Sequence, residues 1–334
     1  MTSLSLGDLA HSYMLQRRSV SVRQSLTQLT EELSSGRVSD IRKVLVGNHS
    51  YLTDIERSLG VLSGYSVSNA ESAQLTGAMQ FSLDRAQEIT SKLGVDMITA
   101  GNGSVAVISG TPSKNAEVQL KGLVSIFNGD IAGRSMFAGT ATDQAPLASA
   151  DTLLAELRSV VAGQSTPAAM MAAAQAWFDD PGGFEALIYL GSTNAIAPFK
   201  LSEREQVSVD IRADNPAFRT VLRHTAMAAL AQDSGLGLSL EEQSEMFMMT
   251  GLGLQSSQDQ LTAVRSGLGF AEARIETVAS RNAAEQTSLE FARTALLAAD
   301  PFETATKLEE VQFQLQSLYA VTARTSQLSL VNFL

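Results

Sequence analysis

The two ends of the chain carry the same periodicity. Leu15, Val22, Leu26, Leu29 and Leu33 follow one another at spacings of 7, 4, 3 and 4, and Leu308, Val311, Leu315 and Leu318 at 3, 4 and 3. These are the a/d intervals of a coiled-coil seam, which gather the apolar side chains on one narrow stripe of a helix. Such a stripe has to be covered by another helix. With one at each terminus, the second continued by Val321, Leu328 and Val331 after a slip in phase, the simplest solution pairs the ends of the chain with each other. Residues 1–50 carry six basic and four acidic side chains and residues 270–334 five and eight, so the ends are mildly opposite in sign. Exposed pairs contribute little each, so this orients more than it stabilises.

Between the ends the pattern changes twice. Gly36 closes the first helix, because glycine accepts the left-handed conformation of a helix stop. Arg37 to Asn48 reads as a turn or irregular segment. Helical spacing resumes from Tyr51 to about Thr99, with Gly60 and Gly64 as candidate kinks, and again from Lys114 to Asn128 after a short Val- and Ile-rich stretch. From about Gly139 to Asp233 the chain holds Pro146, Pro167, Pro181, Pro198, Pro216, the only Trp (Trp177) and two strand-like runs, 186–190 and 207–212. From about Ser239 the helical signal returns, interrupted at Asp300-Pro301, where proline suits the first turn of a new helix. The expected fold is mainly α: an elongated bundle of paired N- and C-terminal coiled-coil helices with a central mixed α/β insert. The expected divisions are 1–50, 51–140, 141–237, 238–300 and 301–334, with 141–237 as the surface-exposed insert.

The inventory of reactive groups is poor. The chain has no cysteine, which excludes disulfides, Cys-ligated zinc, iron-sulfur clusters and thiol nucleophiles. His11, His49 and His224 stand in no HExxH or i,i+4 arrangement, so no metal site is expected. There is no GxSxG, and Gly101-Asn102-Gly103, Gly235-Leu236-Gly237 and Gly251-Leu252-Gly253 lack the further glycine of a dinucleotide loop. Glu31-Glu32 and Asp179-Asp180 read as solvated faces, and an enzyme hosted in the insert would have only Asp143, Asp179 and Asp180 as acids. Met246, Met248 and Met249, and the aromatic set Trp177, Phe178, Phe184 and Tyr189, offer a soft binding patch or, more simply, core. A net charge of -11 with no basic cluster argues against nucleic acid. The first ten residues lack the charged and apolar regions of a Sec-type signal, and no stretch of 18 apolar residues spans a bilayer. No enzyme, no cofactor and no membrane partner are expected; the work of this chain is contact.

The termini carry a family resemblance. Thr306 to Leu334, TKLEEVQFQLQSLYAVTARTSQLSLVNFL, resembles the C-terminal end of the flagellin superfamily through Gln312, Leu315, Gln316, Tyr319, Ser329, Leu330, Asn332 and Leu334. Leu26 to Gly36, LTQLTEELSSG, resembles its N-terminal helix and closing turn. Within the superfamily the closer similarity is to the hook-filament junction family, hook-associated protein 3. Asn128 to Pro146, NGDIAGRSMFAGTATDQAP, resembles a segment of that family at Gly133, Arg134, Phe137, Ala138, Gly139, Thr140, Thr142 and Pro146, and Asp300-Pro301-Phe302-Glu303 resembles the start of its last helix. Arg37 to Tyr51 departs from the R-I-x-S-x-x-D-D turn of both groups, which marks a divergent branch.

The resemblance implies an exported structural protein. Its terminal helices would stack into the wall of the extracellular flagellum, as a ring of like subunits between hook-associated protein 1 and flagellin. Export would run through the flagellar type III apparatus with a dedicated chaperone. The assembly residues would be Leu15, Val22, Leu26, Leu29, Leu33, Leu308, Val311, Leu315, Leu318, Tyr319 and Leu328. Flagellin itself, the filament subunit, is the alternative.

Overall fold

The computed structural model describes residues 6–41, 49–103 and 110–331. The element order is α1 (Leu6–Ser35), α2 (His49–Asn102), α3 (Thr111–Phe127), β1 (Asp130–Ile131), β2 (Arg134–Ser135), α4 (Ala150–Val161), α5 (Pro167–Asp179), β3 (Phe199–Lys200), β4 (Gln206–Val207), α6 (Pro216–Leu230), α7 (Leu240–Leu297) and α8 (Pro301–Val331). A π-helical turn, Pro181–Glu185, follows α5. The chain is mainly α with a small mixed insert, as the periodicity requires. It divides into two compact units, one of residues 1–63 with 283–334 and one of residues 64–282.

In the first unit α1 packs against α8. The two run antiparallel, because Ala299 N–H donates to Gly36 O at 2.9 Å at one end while Arg23 meets Tyr319 farther along. Gly36 stops α1 with φ 66°, as its position predicts. Arg37 then forms an antiparallel bridge with Ala298, and Val38 N–H donates to Leu297 O at 2.9 Å. Beneath this bridge lies a small apolar cluster of Leu52, Leu296 and Leu297. Pro301 opens α8, and Asp300 Oδ1 accepts from the N–H groups of Phe302 (2.9 Å) and Glu303 (3.2 Å), two of the donors a helix start leaves open. The segment 42–48 lies outside the described residues.

The second unit contains the main core. Met79, Leu83, Leu93 and Met97 of α2 meet Phe247, Leu254, Leu261 and Leu268 of α7, together with the apolar faces of α3, α4, α5 and α6. Phe127 of α3 and Phe218 of α6 stack with centroids 4.5 Å apart, and Phe137 meets both edge-on. A second cluster joins Leu201 and Val207, at the β3–β4 hairpin, to Ile275 and Val278 of α7. Helix α2 runs unbroken through Gly60 and Gly64, which were expected to kink it. At its far end α2 meets α7 closely: a β-carbon on Gly101 would lie 2.9 Å from Met248 N, and one on Gly251 2.8 Å from Ile98 N. Glycine at both places lets the two backbones approach, so two of the Gly-x-Gly sequences serve helix packing.

The insert holds less strand than expected. Residues 186–190 complete the π turn and a helical turn, with only Tyr189 bridging Leu147, and of 207–212 only Val207 pairs in a strand. Ile188, Tyr189 and Val209 are buried in the main, largely helical core, so they need no sheet partner. Phe178 and Phe184 stack at 4.9 Å and Trp177 meets both edge-on, which makes the aromatic set of the insert core. Met246 is fully buried and belongs to the same core.

Candidate assembly surface

The seam residues of the terminal helices face one another within the chain. Val22 is buried, at 7% exposure; Leu15, Leu26 and Leu29 on α1 and Leu308, Val311, Leu315 and Leu318 on α8 are half-buried. Leu33 is 41% exposed, and Tyr319 48%. The side chain of Leu328 lies outside the described residues. Two helices alone cannot surround a seam, which is why only one of these residues falls below a tenth exposed while the core of the second unit is dry. At roughly 25 cal/mol per Å² of apolar surface, the remaining exposure is an unspent driving force for a further neighbour.

Polar contacts fix the register of the pair. Arg23 Nη2 donates to Tyr319 Oη at 2.8 Å, and its guanidinium carbon stands 5.7 Å from the Tyr319 ring centroid, a cation–π contact. Glu32 is buried at 9% exposure, which corrects its reading as a solvated charge. Its Oε1 accepts from Ser39 N–H at 2.9 Å and Gln28 Nε2 at 3.3 Å, holding the turn after Gly36 against α1. Nothing in the linear spacing of Glu31-Glu32 marks this role, because it depends on a chain reversal seven residues later.

The segment 128–146 acts as a strap across the insert. Asn128 Oδ1 accepts from Leu147 N–H at 2.8 Å while its Nδ2 donates to Leu147 O at 2.9 Å. Phe137 is wholly buried, and its carbonyl accepts from Ala213 N–H. Gly139 has φ 61°, and a β-carbon there would lie 2.6 Å from Ser192 O, so glycine is required twice over. Thr140 N–H donates to Asn194 O at 3.0 Å, and the Arg212 guanidinium holds Thr193 O and Asp214. Tyr189 donates to Ser192 O at 2.8 Å, and burial, aided by the Asp214 carboxylate, pushes its phenol up to about 12. The motif residues are spent on holding the fold.

No arrangement among the described residues resembles a catalytic centre. Asp143, Asp179 and Asp180 are exposed, and Asp180 Oδ1 accepts from Gly182 N–H at 3.0 Å. No group of three His, Asp or Glu is placed to hold a metal among the described residues. A groove of about 430 Å³ is lined by Lys114, Glu117, Asp151, Arg158 and Asp233 among others. Four of its five charges have ion-pair partners: Glu117 (2.9 Å) and Asp151 (3.1 Å) with Lys121, and Arg158 with Asp233. No helix among the described residues is long and apolar enough to cross a membrane.

Residues 253–334 match the family of the bacterial flagellin C-terminal helical region. The matched segment is the second part of α7 together with α8, and so contains one half of the terminal pair. The fold is similar to that of a Vibrio parahaemolyticus protein provisionally described as a flagellar hook-associated protein, with a TM-score of 0.52 at 12% sequence identity over 75% of this chain and 99% of that one. No curated protein matches the sequence.

Proposed function

We propose that the chain is a structural subunit of the bacterial flagellum, an exported protein that joins the hook to the filament. The observation that carries this reading is the match of residues 253–334 to the flagellin C-terminal region, falling on the helix that pairs with α1. The fold shared with a hook-associated protein supports a flagellar structural role, and the resemblance of residues 128–146 to the junction family is the ground for preferring the junction over the filament. In this role copies of the chain assemble laterally through the terminal pair, with hook-associated protein 1 below and flagellin above. An export chaperone covers the apolar stripes before assembly. The chain performs no catalysis.

Deletion of the gene in its motile host tests this. Complete hooks without filaments, with flagellin released into the medium, are expected; filaments of normal length would overturn the junction role. Flagellin is the second reading, favoured by the family of the C-terminal match itself. It predicts that the purified chain elongates filament seeds indefinitely, whereas a junction subunit stops after one short tier.

A further inference from the structure

The seam of the terminal pair is occupied within the chain, and the outer faces of the same two helices are not. On α8, Phe302 is 87% exposed and Phe313 71%. Their 11-residue separation is within about 20° of three full turns, so both lie on the stripe opposite Leu308, Val311 and Leu315, with Glu309 and Glu310 exposed between them. On α1, Tyr13 (64% exposed) and Val20 (52%) share the stripe opposite Val22, with Arg17 exposed between them. This stripe continues into a shallow depression of about 560 Å³ lined by Val20, Gln24, Thr27 and Glu31, with Arg23 and Gln28 at its sides. Among the described residues, the ion pair of this unit joins Lys307 to Glu303 and leaves Arg17, Glu309 and Glu310 out.

The geometry points to a second copy of this chain as the occupant of both stripes, with the outer face of α1 in one copy seated on the outer face of α8 in the next. This rests on the reading of the chain as a self-assembling subunit. A two-fold contact through one stripe would seat α1 on α1 or α8 on α8 and bring Arg17, or Glu309 and Glu310, toward charges of the same sign; the heterologous contact pairs base with acid and covers the aromatics. With α1 and α8 antiparallel and Arg17 set opposite Glu309 and Glu310, Tyr13 falls beside Phe313. Phe302, the most exposed large apolar side chain among the described residues, falls over the Val20–Gln24–Thr27 depression. Within one chain Gly36 lies beside Ala299 and Arg23 beside Tyr319. The neighbour is therefore displaced along the helices by roughly 10–15 residues, about 15–20 Å. A heterologous contact with an axial offset winds copies into a helical tier instead of closing a flat ring.

Because the chain has no cysteine, single-cysteine variants of the full chain test the register directly. Tyr13→Cys and Phe313→Cys proteins, mixed and oxidised, are expected to form the mixed dimer at least ten times faster than either variant links to itself. Arg17→Glu is expected to weaken self-association of the full chain at least tenfold in sedimentation at low salt, with an unchanged helical circular dichroism signal. Adding Glu309→Arg and Glu310→Arg in the same chain is expected to restore it. Links of like with like, or an Arg17→Glu protein that associates normally, would overturn this interface while leaving the functional reading in place. A wild-type chain that stays monomeric at every concentration, alone and with hook fragments, would remove both.

Discussion

His224 sits on α6 against the Gly253 position of α7, where a β-carbon would overlap the imidazole ring. Arg223 Nη2 lies 3.3 Å from His224 Nε2, so donation from the guanidinium leaves the ring proton on Nδ1, which has no hydrogen-bond partner among the described residues. Burial, reinforced by the Arg223 charge, lowers the imidazole pKa to about 4. The sign follows from linkage. Above the unfolded value of about 6.5 neither state is protonated; as pH falls below it, the unfolded chain takes up a proton that the folded chain refuses. Stability therefore declines between pH 6.5 and about 4, by about 3 kcal/mol in total, and the loss saturates below. In urea titrations at pH 7 and pH 4.5, His224→Gln should show a smaller difference between the two pH values than the wild type. Equal differences would mean that the ring is hydrated. None of this is legible in a single histidine on a helix, since the desolvation comes from α7, some thirty positions away.

At the scale of the element, the terminal helices were the clearest part of the sequence. The 3-4 spacing of Leu308, Val311, Leu315 and Leu318 places them on the face of α8 that meets α1, as the periodicity predicts. The helix stop at Gly36 and the start at Asp300-Pro301 were equally plain, because cap chemistry is local. Asp300→Ala should destabilise the first unit by about 1 kcal/mol, the usual value of an N-cap. A fall in the helical signal on warming, with the tryptophan signal of Trp177 unchanged, would locate the loss there. Leu315→Asp places a charge in a half-buried seam and should cost about 2–4 kcal/mol in the same unit. Under the proposed function it should also prevent incorporation, read as hooks without filaments in cells that still export the protein; normal filaments would contradict it. The strand-like runs differ from the structure because short apolar stretches look alike in a strand and in a buried turn. The outer stripes are not legible in the sequence, because Phe302 and Phe313, three turns apart, are individually ordinary surface residues until the seam is located.

At the scale of the molecule, the two units differ in how much they bury. Among the described residues the first unit's buried apolar side chains are Val22, Leu52, Ile55, Leu62 and Leu297, whereas the second buries a large cluster around Phe127, Phe218 and Phe247 and a smaller one around Leu201, Val207, Ile275 and Val278. Amide exchange should follow this difference, with α1 and α8 exchanging on the order of 100-fold faster than α3 and α6 in the isolated chain. Protection of α1 and α8 should then rise on assembly, when a neighbour covers their stripes. Uniform protection across both units before assembly would show that the terminal pair needs no partner. Periodicity and caps by themselves determined that this chain is helical and that its ends are long helices bounded at Gly36 and at Asp300-Pro301, because each of these is written within a few turns of sequence. Only the tertiary structure decided that Glu32 and the strap at 128–146 are structural, and which faces of the terminal helices remain open, because burial belongs to segments distant in sequence and exists only once they pack.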